Sequence, residues 1–256
     1  MAAVTACFVA GVVSSRTGNV DLAATAAQRG YDLAQQQDNP ILMGFARWYW
    51  ACELTSTGAR TRAHAVLSEG IDDLTPAVQL SAADTLPAEL LGMMHLQQAR
   101  TAARHKRADD AHAHLDEAAR LAGRVGERKG MRQHFGPINV AAWRVSIGVA
   151  LTEGAWVYEE ATAAPIDINA LGSRERSSSM HFDLARVLAQ EEGPRDGEAI
   201  RHLDTADRIG PQRIRSDPIA RDLVLTVDRR APRRCGSWIR CVTASASESA
   251  RPSTLC

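Results

Sequence analysis

Residues 50–70 read WACELTSTGARTRAHAVLSEG, and this stretch decides the fold. Ala63, Leu67 and Gly70 stand at i, i+4 and i+7, so they share one face of a helix. Two of the three are small, which lets a second helix approach closely. Trp50, Ala51 and Leu54 precede them on a helix of their own, and Gly58 separates the two. A break that short joins antiparallel neighbours, so the segment predicts a helical hairpin.

The pattern recurs on both sides. Ala23-Ala27-Gly30, Ala111-Leu115-Ala118 and Ala199-Leu203-Ala206 carry the same spacing. From Ala23 to Ala63 is 40 residues, from Ala63 to Ala111 is 48, and from Ala111 to Ala199 is 88. The last interval has room for one degenerate unit near Trp156 to Ala163. In the first unit Ala10 and Gly11 precede a break at Gly18. Pro40, Pro76, Pro87, Pro137 and Pro211 are expected between hairpins, where proline ends one helix or opens the next. No stretch shows the β-branched alternation of a strand. The expected architecture is all-α: a repeat domain over residues 1–228, with about five helical hairpins and a last helix near Asp217 to Asp228. Residues 229–256 are expected to form a tail.

Composition narrows the classes. Of 256 residues, 45% are apolar, enough for a core, so wholesale disorder is excluded. Thirty basic residues balance thirty acidic ones, and that neutrality argues against a nucleic-acid binder driven by net charge. A mean hydropathy of −0.22 and the lack of any apolar run of about 18 residues exclude a helical membrane span. The cysteines are Cys7, Cys52, Cys235, Cys241 and Cys256. An odd count without C-x-x-C argues against a disulfide framework, and a reducing cytoplasm is the simplest compartment. Met1 to Val13 is apolar but lacks a basic leader, so it is read as a first helix rather than a signal peptide.

The repeat resembles the tetratricopeptide repeat. Trp50, Ala51 and Leu54 fill that motif's first-helix places, and Ala63, Leu67 and Gly70 its second-helix places. Ala199, Leu203, Ala206 and Pro211 match the second helix and terminal proline, although extra residues around Glu191 to Gly197 should widen that turn. The resemblance implies a right-handed solenoid with a concave groove lined by first helices. Its groove positions fall on Phe45 and Trp48 in the second unit, and on Met93, Leu96, Arg100 and Arg104 in the third. Such a set suits an apolar ligand with an anionic end, or a peptide carboxylate. The competing reading packs the aromatics between repeats and leaves the arginines solvated.

Four stretches carry a second resemblance: 90–96 (LLGMMHL), 111–125 (AHAHLDEAARLAGRV), 135–140 (FGPINV) and 181–186 (HFDLAR). They are similar to the C-terminal sensor region of actinobacterial helix-turn-helix regulators of the xenobiotic-response-element (XRE) type. That resemblance runs from about Gly18 to Arg230 and implies a regulatory, non-enzymatic module that senses a small-molecule signal or peptide. The family's N-terminal DNA-binding domain has no counterpart ahead of the first repeat, so this chain is not expected to bind an operator itself. Ile138 stands where the family usually has threonine. The alternatives are a stand-alone scaffold for protein–protein interaction and a fragment of a decayed regulator gene. After Arg234 the chain is serine-rich and aperiodic, which fits a disordered tail or a frame-shifted end. An uncapped solenoid end would expose apolar surface, so dimerisation or aggregation is expected.

Chemistry-bearing constellations are sparse. His105, His112 and His114 cluster with Asp109 and Asp110, but residues two apart on a helix diverge, so no metal site and no cofactor is expected. No G-x-S-x-G, H-E-x-x-H or S-x-x-K occurs. Asn139 and Arg144 begin the fourth first-helix just after Phe135-Gly136-Pro137. Asn139 lies too deep for an ordinary cap, and both are candidate ligand contacts.

Overall fold

A computed structural model describes residues 2–80, 84–130, 133–163 and 166–230. All regular structure among them is helical. The helices are α1 (Ala2–Arg16), α2 (Val20–Ala34), α3 (Pro40–Ser56), α4 (Arg60–Leu80), α5 (Leu86–Arg104), α6 (Ala108–Val125) and α7 (Pro137–Leu151). They continue with α8 (Trp156–Ala163), α9 (Arg174–Ala189), α10 (Asp196–Ile209), α11 (Pro211–Ser216) and α12 (Pro218–Arg230). A single 3-10 turn, Ile168–Leu171, precedes α9. No described helix is long and apolar enough to cross a membrane.

The chain divides into two compact units, Met1–Leu151 and Thr152–Cys256. The repeat region read as one domain over 1–228 is therefore described as two bodies. A helix does form at Trp156–Ala163, but α7 and α8 fall in different units rather than in one fourth hairpin. The last helix forms where expected and runs on to Arg230. Residues 231–256, which hold nearly all of the expected tail, lie outside the described residues.

In unit 1 the hairpins are α1–α2, α3–α4 and α5–α6, followed by α7. Their second helices bury the small-residue faces almost completely: Ala23 0%, Ala63 0%, Leu67 0%, Ala111 0% and Leu115 0% exposed. The same device closes unit 2, where Ala199, Leu203 and Ala206 of α10 pack against α9.

One turn is stamped three times. Gly18 and Gly58 have φ of 85° and 87°, and Lys106 takes φ 60° at the same place in the third hairpin. The following residue's N–H then reaches back five residues. Asn19 donates to Ser14 O at 2.9 Å, Ala59 to Leu54 O at 2.8 Å, and Arg107 to Ala102 O at 3.1 Å. These are Schellman C-caps, which satisfy carbonyls the helix end would otherwise orphan. In unit 2 Glu192 takes φ 57° three residues past the end of α9, in a longer turn through Gly193, consistent with the extra residues there. A β-carbon is disfavoured in that left-handed region. Glu192→Gly is thus expected to raise the stability of unit 2 by up to about 1 kcal/mol. Thermal unfolding followed by circular dichroism checks this, and a lower melting temperature contradicts it.

Proline placement is corrected at one position. Pro40, Pro87, Pro137 and Pro211 stand at helix starts, and Asn39 Oδ1 accepts the N–H of Leu42 at 2.9 Å as a cap for α3. Pro76, expected between hairpins, lies inside α4. It forfeits one helical hydrogen bond, but Leu74 and Val78 on either side are 1% and 6% exposed, so core packing carries the helix through it.

Candidate functional site

The candidate site lies along the first helices of unit 1, and α5 is its axis. Leu86–Arg104 is mixed in polarity yet buried from Pro87 to Gln98. Its neighbours supply partners for most of those buried polar groups, although Gln97 Oε1 is buried without one. Gln97 Nε2 donates to Thr55 Oγ1 of α3 at 3.0 Å, and Thr55 Oγ1 donates onward to Ala51 O at 2.7 Å. Gln98 Nε2 donates to Ser68 Oγ of α4 at 3.0 Å, while its Oε1 meets His64 Nδ1 at 3.0 Å. Two adjacent amides thereby tie α5 to α3 on one side and to α4 on the other.

The expected groove residues divide. Phe45, Trp48, Met93 and Leu96 are 5%, 7%, 2% and 0% exposed and belong to the core cluster. The aromatic ones pack on one another: Phe8 and Phe45 centroids lie 5.1 Å apart, Phe8 and Tyr49 4.7 Å, and Phe45 and Trp48 5.8 Å. For these four the structure favours the packing alternative over an open apolar groove, because the side chains of α1, α3 and α5 fill the space themselves. The arginines stay at the edge. Arg104 Nη1 donates to Thr55 O at 3.1 Å, Arg144 lies 3.5 Å from Asp116, and Arg100 is half-buried.

Asn139 is 3% exposed, and its Nδ2 lies 3.6 Å from Met93 Sδ. The side chain thereby links α7 to Met93 of α5. Nearby, a cavity of about 10 Å³ is lined by Glu89, Leu90, Met93, Gly130, Gln133 and Phe135, among others. That is space for about one water rather than an organic ligand. Glu89 organises its rim: it accepts from Thr85 Oγ1 at 2.7 Å and from Gly130 N at 2.9 Å.

Sequence reading missed Glu53. It is 5% exposed on α3, one turn after Tyr49, with Arg100 and Ser15 also acting on it. Burial raises its carboxyl above the usual range, and burial likewise raises the Tyr49 phenol and pushes the Cys52 thiol up to about 12. Tyr49 itself packs on the backbone of α1: a β-carbon at Gly11 would lie 2.3 Å from its oxygen. No sequence spacing announces this set, since Gly11, Tyr49 and Arg100 come from three different helices.

The histidines pair in a way the local spacing did not show. His114, grouped above with His105 and His112, meets His95 of α5, with Nδ1 atoms 2.9 Å apart. In unit 2, His181 of α9 and His202 of α10 meet at 3.0 Å, and Tyr158 Oη lies 3.4 Å from His202 Nε2. A signal was present at longer range. His95 and His181 both follow methionine and precede an Ala-Arg pair, and His114 and His202 both open His-Leu-Asp. Among the described residues no group of three metal-ligating side chains converges.

No family model, no curated protein and no solved structure matches this chain.

Proposed function

We propose that this chain is a non-enzymatic regulatory or interaction module that takes a peptide or small-molecule signal through an anionic group at the arginine edge of α5. The observation that carries this reading is the placement of Arg100 and Arg104 one helical turn apart on α5. Arg100 acts on the buried Glu53, and Arg104 donates to the Thr55 carbonyl of the same helix α3. Guanidinium forks suit carboxylates, and the partly apolar surroundings strengthen such a contact. Occupancy at that edge would act on α3 as well, because Arg104 already holds a carbonyl of that helix. The resemblance to XRE-type sensor regions supports the same reading. In such a regulator the inter-helix shift would bias an attached DNA-binding domain.

The test is a titration of the full chain, read by tryptophan fluorescence and thermal shift. Probes are a peptide library with free C-terminal carboxylates and the same library amidated. Carboxylate peptides are expected to bind and amidated ones to bind at least about tenfold more weakly. Arg100→Ala should reduce carboxylate binding by a similar factor while leaving the far-UV circular dichroism unchanged. Equal binding of both libraries, or of the variant, removes the reading.

A further inference from the structure

The repeat register exposes an unfinished surface on α1. Shifting by 40 residues, the interval that relates Ala23 to Ala63 and Gly18 to Gly58, maps Ala2, Ala6, Val9, Ala10 and Val13 onto Leu42, Ala46, Tyr49, Trp50 and Glu53. Shifting by 88, which relates Gly18 to Lys106, maps them onto Leu90, Met94, Gln97, Gln98 and Thr101. Every one of those ten positions on α3 and α5 is buried, none more than 7% exposed. Their five counterparts on α1 are all exposed, with Val9 at 52% and Val13 at 56%. The stacking interface of the repeat thus continues onto α1, where nothing described covers it.

The stripe itself points to its occupant. It bears no charge, since α1 holds no acidic residue in its first turn and its basic residue is Arg16, at the far end. A charged partner therefore gains nothing there, and an uncharged one loses no ion hydration. The stripe is also self-complementary about its centre. In an antiparallel pair centred between Cys7 and Phe8, residue n faces residue 15 − n. Ala2 then meets Val13 and Ala6 meets Val9, in both directions, with Thr5 against Ala10. Large opposite small in each row is what close helix packing needs, and a two-fold axis supplies it with one sequence.

We propose that the α1 stripe is a homodimer interface, in which two copies of this chain pair α1 antiparallel across a two-fold axis. Sedimentation equilibrium of the full chain tests this across a concentration series. Wild type is expected to show a monomer–dimer equilibrium. Val9→Asp and Val13→Asp each place a charge in the seam and should weaken association at least about tenfold. Both sites are exposed in the single copy, so the melting temperature measured at a concentration where wild type is monomeric should not fall. Ile219→Asp, at an apolar residue of unit 2 that is 50% exposed, should leave association unchanged. A wild type that stays monomeric overturns the proposal, as it would mean a different partner, or none, covers the stripe. A dimer indifferent to the α1 substitutions, or equally sensitive to Ile219→Asp, overturns it too.

Discussion

Gly92→Ala is expected to destabilise unit 1 by roughly 3 kcal/mol or more. The Phe135 ring is 0% exposed and points its tip at α5 at this residue. A β-carbon on Gly92 would come within 2.0 Å of Phe135 Cζ and 2.4 Å of Cε2. The ring cannot retreat easily, because its backbone is fastened. Arg128 N donates to Phe135 O at 2.8 Å, and the loop is held again where Ile138 N donates to Glu127 Oε1 at 2.8 Å. Accommodating one methyl group therefore means expelling a buried aromatic ring, at a cost approaching that of removing it. Elsewhere in a helix interior, Gly→Ala is favourable by about 1 kcal/mol, so the predicted sign is the reverse of the helix-propensity expectation. Urea unfolding followed through Trp48, Trp50 and Trp143 measures it. Phe135→Ala should cost about 3–5 kcal/mol alone. In that background Gly92→Ala should cost less than about 1 kcal/mol, because the clash is gone. Additive costs would refute the ring-on-glycine account.

The second large effect is a loss of stability in acid. Burial, reinforced by the facing His114, lowers the pKa of His95 to about 4, and burial with the facing His181 does the same for His202. Their partners His114 and His181 are lowered too, chiefly by burial. The surroundings are mixed. Around the first pair, Asp110 and Glu117 favour the charged form, whereas His64, Arg107 and Arg120 oppose it. Around the second, Glu198 favours it, while Arg201 and Arg208 oppose it. A base whose folded pKa is depressed stabilises the fold above its unfolded pKa, near 6.5. That stability disappears as pH falls from about 6.5 towards 4. For His95, which is 9% exposed, the loss by pH 4 is on the order of 3 kcal/mol. The geometry agrees: a pair of Nδ1 atoms 2.9 Å apart needs one unprotonated nitrogen as acceptor. Urea midpoints should fall steeply between pH 7 and pH 4.5, and His95→Gln should flatten part of that slope. An unchanged slope in the variant would assign the acid sensitivity to other groups.

Much of the fold was legible because helices report themselves locally. The i, i+4, i+7 residues are neighbours on one helix whatever surrounds them, and all twelve in the four units are buried. Gly18 and Gly58 named their own turns, as only a residue without a β-carbon adopts positive φ freely. Lys106 hid the same turn, and Glu192 a different one, since nothing in a lysine or a glutamate advertises a left-handed backbone. For the site, sequence spacing selected faces of α3 and α5 but could not say whether they were open. Whether Phe45 and Trp48 line a groove or fill it depends on how closely α1 approaches, and that distance is set by Gly11 against Tyr49.

The sequence by itself determined the all-helical character and the small-residue faces of the second helices, because these follow from periodicities of a few residues. Only the tertiary structure decided that Pro76 stays helical, that the chain divides at Leu151 and that Gly92 must lack a side chain. It also joined histidines 19 and 21 residues apart into pairs. Those outcomes depend on which atoms from distant segments meet within a few ångströms. That is fixed by close packing of the whole unit and is written in no local stretch of chain.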